Sequence, residues 1–133
     1  MRHLQHHFAS IPIALLPGLL CSPGGAQNHA QPSIEFTLVP PEGAGSPLLF
    51  GVIEGRVKGA RRGERIVLFA QSGELWWVQP LADQPFTEIR PDSRWKSSTH
   101  PGSAYAALLV DPGYVPPAKV HELPKQGDRK SVV

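Results

Sequence analysis

Proline and glycine recur at short intervals along the chain, and this spacing is the strongest constraint on its fold. The 133 residues include 13 Gly and 15 Pro, or about 21 % for the two together, whereas average usage is roughly 12 %. Proline breaks helix interiors and glycine weakens them, which makes a helical bundle a poor candidate. Disorder does not explain the composition, because 41 % of the residues are hydrophobic and only 18 % are charged. Length and composition predict one loop-rich, all-β domain.

The first 26 residues have the three parts of a secretory signal peptide. Residues 1–7 are basic and lack acids, residues 8–20 form an apolar run, and small residues then favour cleavage after Ala26. A membrane anchor would need about 20 apolar residues, and this run is shorter and contains Pro12 and Pro17. We therefore expect an exported protein, on the periplasmic or extracellular face.

Cys21 is the single cysteine and follows the apolar run. Lipidation at this position would need a small preceding residue, and Leu20 is large, so we do not expect it. Cleavage after Ala26 leaves a chain without cysteine, which must rely on its core rather than on disulfides.

The charge balance argues against nucleic-acid binding. Removing residues 1–26 takes away Arg2 and no acid, so the net charge falls from +2 to +1, too little for binding by phosphate neutralisation alone. A basic cluster does exist, and we interpret it as a solvated strand edge and turn that discourages edge-to-edge pairing; its members are Arg56, Lys58, Arg61, Arg62 and Arg65.

Short segments with the pattern of β-strands alternate with turn signals. A short Gly-containing turn between the third and fourth predicts a hairpin. Trp95 and residues 97–102 are predicted to lie in turns and loops. The whole pattern predicts a β-sandwich of about six or seven short strands, immunoglobulin-like or prealbumin-like. The predicted strands are 34–39, 52–58, 65–71, 75–79, 86–90 and 104–111.

The flanks of this module differ from it in composition. Residues 27–33 form a polar leader, the module spans 34–114, and 115–127 have the composition of a linker or tail. The last six residues are those that a common short-read sequencing adapter encodes when it is translated in frame. We therefore interpret residues 128–133 as adapter translation in a truncated gene.

The tryptophans are the most informative side chains. Trp76 and Trp77 are neighbours on a predicted strand, so one faces the core and the other faces outward or a second layer. Trp95 lies in a turn-rich segment, either as a plug over the core or as part of a ligand wall. Burial of all these indoles in the core remains the alternative. The candidate ligand contacts are Trp76, Trp77, Trp95 and Tyr105, with Gln79 and His100 as polar partners.

No pattern indicates catalysis, a metal or a cofactor. The predicted mature chain has only His29, His100 and His121, widely spaced, whereas a zinc site needs three or four convergent ligands. Nucleophile-elbow, phosphate-binding and dinucleotide motifs are missing. We expect no enzyme activity, no metal and no cofactor.

A set of short motifs is spread over about ninety residues of the chain. They are Ile34-Glu-Phe-Thr, Val39-Pro-Pro, Ile53-Glu-Gly-Arg-Val, Gly59-Ala-Arg, Arg65-Ile-Val-Leu, Trp76-Trp-Val-Gln-Pro, Pro85-Phe-Thr, Pro91-Asp-Ser, Trp95, Thr99-His and Tyr105-Ala-Ala-Leu-Leu-Val-Asp-Pro-Gly-Tyr. Through these motifs the chain resembles the exported N-terminal β-module of bacterial membrane-bound sensor histidine kinases and related signalling proteins. The resemblance implies a larger protein in which a membrane segment and a kinase follow this module.

The leading hypothesis is a non-catalytic, extracytoplasmic sensory or interaction module that uses an aromatic surface. Its ligand would be a small molecule, a glycan or a protein, with no nucleic acid, and contact with a membrane would come only from the downstream part of the parent protein. One alternative is a carbohydrate-binding module, which predicts exposed, coplanar aromatic rings. The other is a structural spacer, which predicts no pocket and no aromatic patch.

Overall fold

The computed structural model describes residues 31–125 and the backbone of 130–132, and these residues form strands and loops without a helix. The predicted all-β class is confirmed. The predicted signal peptide, with Cys21, lies outside the described residues, and no helix among those described is long and apolar enough to cross a membrane. The strands are β1 (Ser33–Leu38), β2 (Gly51–Lys58), β3 (Arg65–Ser72), β4 (Leu75–Gln79), β5 (Phe86–Thr87), β6 (Arg94–Thr99), β7 (Ala104–Val110), β8 (Lys119–Val120) and β9 (Lys130–Val132).

The strands form two antiparallel sheets. The smaller sheet has the order β1-β2-β6. The larger has the order β8-β4-β3-β7-β9, and β5 pairs with β3 next to β4. Because β4 and β5 run along the same edge of β3, they form one interrupted strand, and residues 80–85 leave the sheet between them.

One hydrophobic cluster joins the two sheets face to face. The smaller sheet contributes side chains from all three of its strands, and the larger sheet contributes side chains from β3 and β7. Burial of this apolar surface is the main favourable term in the folding free energy. The cluster consists of Ile34, Ile53, Val57, Ile66, Leu68, Trp95, Ala107 and Leu109.

Trp95 is the largest fully buried side chain in this cluster, with 1 % of its surface exposed. Its ring meets that of Phe36 edge to face, with 5.7 Å between the centroids and 75° between the planes. Trp95 lies opposite Gly55 in the β2–β6 pairing. A Cβ atom on Gly55 would lie 2.2 Å from Cζ2 of Trp95, so the missing side chain is the space that the indole fills.

The structure corrects the prediction of turns and loops around Trp95. Residues 94–99 form β6, and Trp95 points between the sheets rather than over their end. The segment looks like a loop because Lys96, Ser97 and Ser98 are polar. Lys96 and Ser98 suit an edge strand whose outer face meets water, while Ser97 lies on the same face as Trp95, opposite Ile53. The predicted strand 86–90 is shorter than expected and ends at Thr87.

The larger sheet is buried on both faces. Its second face carries the cluster Val67, Phe69, Val78, Ala106, Leu108 and Val110. The chain after β7 covers this face, because Tyr114, Val120 and Leu123 pack against the cluster and β8 pairs with β4. The structure therefore places Lys119, Val120 and Leu123 on the sheet, whereas the composition of 115–127 predicted a linker or tail. The continuous apolar runs of β3 and β7 are the signal for this cover, since strands buried on both faces lose the alternation of polar residues.

We expect Gly55→Ala to destabilise the protein by about 1–3 kcal/mol, because the added methyl group collides with the indole of Trp95 in a packed core. Urea denaturation followed by circular dichroism measures the change. Gly113→Ala is the matched control, since a Cβ atom there meets nothing within 4 Å. Equal stability of the two variants would contradict this account of the core.

Candidate functional site

A cleft opens beside the β3–β4 hairpin. Gly73, with φ of 63°, is the first of the two loop residues between the paired Ser72 and Leu75, where the type II′ turn favours glycine. Because side chains alternate along β4, Trp76 packs against the cluster on the second face of the larger sheet, while Trp77 is 41 % exposed and lines the cleft. The prediction that these neighbours face opposite sides is confirmed.

The cleft has a volume of about 520 Å³ and is bounded by one sheet and several loops. The sheet contributes Ala70, Trp77 and Gln79. The loops contribute residues 80–82, residues 100–102, and Gly45 with Pro47 from the β1–β2 connection. Every side chain around the cleft is uncharged when His100 is neutral, and most are apolar. Such volume and lining are typical of small-molecule sites.

Gln79 and His100 form the polar centre of the cleft. The Gln79 side chain is 96 % buried, and its Oε1 accepts hydrogen bonds from the backbone N–H of His100 at 2.8 Å and from Nδ1 of the imidazole at 2.9 Å. Its Nε2 donates to the carbonyl of Trp77 at 3.2 Å. The peptide bond that follows, Gln79–Pro80, is cis.

These partners determine the tautomer of His100. The backbone N–H can only donate and the carbonyl of Trp77 can only accept, so the amide of Gln79 has one possible orientation. Its Oε1 must therefore face Nδ1, and Nδ1 must carry the proton. In neutral His100 the other ring nitrogen, Nε2, is consequently an acceptor, and no described residue bonds to it.

The β6–β7 loop that carries His100 is fixed at several points. The N–H of Ser103 donates to the carbonyl of Gln71 at 2.9 Å, and the N–H of Gly102 donates to the hydroxyl of Tyr105 at 3.0 Å. Gly102 is required for this close approach, because a Cβ atom there would lie 2.5 Å from the carbonyl oxygen of Gln71. The N–H of Gly43 also donates to the carbonyl of Gly102, at 3.3 Å. These bonds hold one side of the cleft in place before any ligand arrives.

Apolar and aromatic side chains surround this centre. Phe50 packs on the imidazole of His100 with 4.2 Å between ring centroids, and Nζ of Lys119 lies 5.2 Å from the ring centroid of Trp77. Leu48 and Leu49, just before Phe50, are largely exposed. An accessible indole therefore lines the cleft, and an exposed apolar segment adjoins His100.

The structure brings three of the six predicted contacts together, namely Trp77, Gln79 and His100. It does not bring the other three to the cleft. Trp95 is enclosed between the sheets, Trp76 packs on the opposite face of the larger sheet, and Tyr105 supports the β6–β7 loop through its hydroxyl. The prediction that these three residues contact a ligand is therefore corrected: they are core or supporting residues.

Sequence reasoning missed the apolar loop residues of the cleft. Pro47, Leu81 and Pro101 line it, although their segments looked like simple turns. The run Pro47-Leu48-Leu49-Phe50 contained a usable signal, because four consecutive apolar residues before a strand cannot all point into one core.

Comparison with known proteins gives no match. No family model matches the chain, and neither does a curated protein or a solved structure. Within the described part of the chain, no three side chains of His, Cys, Asp or Glu lie close enough to hold a metal ion. The site therefore has to be interpreted from its own geometry.

We expect Trp95→Ala to destabilise the protein by about 3–5 kcal/mol, because it leaves a large cavity between the sheets. Trp77→Ala is the matched substitution at the cleft and should change the stability by about 1 kcal/mol or less, since the indole is accessible. Urea denaturation followed by circular dichroism separates the two cases. A similar loss for both variants would show that Trp77 is a core residue.

We expect neutral His100 to carry its proton on Nδ1. The ¹⁵N chemical shifts of the imidazole, measured by long-range ¹H–¹⁵N correlation, report this directly. Gln79→Ala removes the acceptor that holds this tautomer and should shift the population toward protonated Nε2. Protonated Nε2 in the unchanged protein would contradict the hydrogen bonding described above.

Proposed function

We propose that this domain is a non-catalytic, extracytoplasmic recognition module that binds a small, largely apolar ligand in the cleft beside the β3–β4 hairpin. The observation that carries the proposal is an uncharged cleft of about 520 Å³ that combines the accessible indole of Trp77 with the fixed Gln79–His100 pair. A mainly apolar cavity with a few well-placed polar groups is the usual form of a small-molecule site.

The fixed position of the β6–β7 loop supports binding. A ligand loses less free energy to loop ordering when the site already has its bound shape. The backbone bonds of Gly102 and Ser103 hold the loop against the larger sheet and the β1–β2 connection. We infer that the cleft binds its ligand without refolding the domain.

The export of the module is part of this proposal. It is supported by the three-part N-terminal sequence, by the lack of cysteine after residue 26, and by the resemblance to exported modules of signalling proteins. The two packed sheets agree with a β-sandwich of the immunoglobulin-like or prealbumin-like type, a common architecture for exported recognition domains.

The alternatives receive less support from the geometry. A carbohydrate-binding surface needs several exposed, coplanar rings. Of the three tryptophans, Trp77 alone presents an accessible ring to the cleft, because Trp95 lies between the sheets and Trp76 packs on the opposite face. A spacer needs neither a cavity nor an exposed indole, and both are present.

The test uses Nile red, an uncharged dye whose fluorescence rises in apolar sites. We expect the protein to bind the dye, and we expect Trp77→Ala and Leu81→Ser each to weaken the binding about tenfold, which corresponds to the loss of about 1.4 kcal/mol of contact. A fluorescence titration gives the dissociation constants.

Val115→Ser is the control, because it removes an apolar side chain that is even more exposed, 84 % against 42 % for Leu81, and that does not line the cleft. Its affinity for the dye should equal that of the unchanged protein. Binding that survives Trp77→Ala and Leu81→Ser, or that is lost in Val115→Ser, would place the apolar site elsewhere and overturn the proposal.

A further inference from the structure

We propose that the cleft selects uncharged ring compounds that donate a hydrogen bond to Nε2 of His100, with phenol-like hydroxyl compounds as the preferred class. This inference rests on the proposed function and specifies the chemistry of the same site. Three features of the cleft support it: the lack of charge, the donor and acceptor pattern of the Gln79–His100 pair, and the accessible ring of Trp77.

The first feature excludes charged ligands. The side chains around the cleft include no Asp, Glu, Lys or Arg. An ionised group that enters would lose hydration without gaining a counter-charge from any side chain that lines the cleft, and that loss is large in an apolar site. Lys119 does not line the cleft, and its Nζ lies over the indole of Trp77, 5.2 Å from the ring centroid.

The second feature sets the hydrogen-bond polarity. Nδ1 of His100 is held as a donor to Gln79, which leaves Nε2 of the neutral ring as an acceptor without a partner among the described residues. An acceptor of this kind binds an O–H or N–H group and gains nothing from an ether oxygen.

The side-chain amide of Gln79 narrows the class of suitable ligands further. It makes one bond from Nε2, to the carbonyl of Trp77, and the second N–H of the same group has no partner among the described residues. A hydroxyl group suits this pair best, because it both donates and accepts. Ser72 also lines the cleft, but its hydroxyl can both donate and accept a hydrogen bond, so it does not favour donor ligands over acceptor ligands.

The third feature favours a ring. The indole of Trp77 is accessible, and Pro80, Leu81 and Pro101 supply further apolar surface around it. An aromatic ligand can stack on the indole, an arrangement that adds to the free energy gained from burial of apolar area.

The experiment compares three probes with one ring system, by isothermal titration calorimetry on the unchanged protein. They are 1-naphthol, which donates, 1-methoxynaphthalene, which cannot donate, and 1-naphthoate, which is charged. We expect 1-naphthol to bind about 2- to 12-fold more tightly than 1-methoxynaphthalene, the ratio that one hydrogen bond gives. We expect 1-naphthoate to bind at least about tenfold more weakly than 1-naphthol.

His100→Phe keeps a ring at this position and removes Nε2, so the ratio of the two neutral probes should fall to about one. A second measurement on the unchanged protein is independent of that variant: the ¹⁵N resonance of His100 Nε2 should move when 1-naphthol binds and stay in place with 1-methoxynaphthalene.

The outcomes separate this inference from the proposed function. Equal affinities for the two neutral probes, or tightest binding of 1-naphthoate, would overturn the inference while Nile red binding at Trp77 still supported the cleft as a site. Failure of all three probes and of Nile red would overturn both.

Discussion

The packing of Trp95 against the bare backbone of Gly55 is the contact on which the two-sheet arrangement depends. The indole fills the space that a side chain on β2 would occupy, and its ring meets that of Phe36 on β1 edge to face. All three strands of the smaller sheet therefore share one contact, which faces Ile66 and Leu68 of the larger sheet. Protein interiors are close-packed, so a change in side-chain size at Trp95 or Gly55 would disturb the packing of both sheets.

The second constraint is the burial of β3 and β7 on both faces. One face packs on the smaller sheet, and the other would meet water if the chain ended at β7. Tyr114, Val120 and Leu123 cover it, although the segment that carries them is rich in proline and forms only one two-residue strand. Side-chain packing rather than backbone pairing thus attaches most of this segment, and the β8–β4 ladder sets its position beside Trp77.

The candidate site is a consequence of these two layers of packing. β4 pairs with β3 along its whole length and carries Trp77 and Gln79 on one face, while His100, the residue after β6, bonds to Gln79. Gln79 makes the connection between the two sheets specific, because its buried amide bonds to His100 from one sheet and to Trp77 from the other. A buried polar group without a hydrogen bond costs free energy, so the bonds of Gln79 stabilise the fold and also shape the cleft.

Local sequence patterns suffice to predict the all-β class, the bounds of β1 to β4 and β7 to within a residue or two, the hairpin at Gly73, and the opposite directions of Trp76 and Trp77. These features follow from turn chemistry and from the two-residue period of a strand, which act between neighbours in the chain. Three features became visible only in the folded protein: Trp95 lies in the core, residues after Tyr114 cover a sheet, and His100 bonds to Gln79. Burial and pairing of this kind depend on contacts between distant segments, and a strand such as β6, polar on one face and nearly featureless in pattern, is recognisable only once its partner β2 lies beside it.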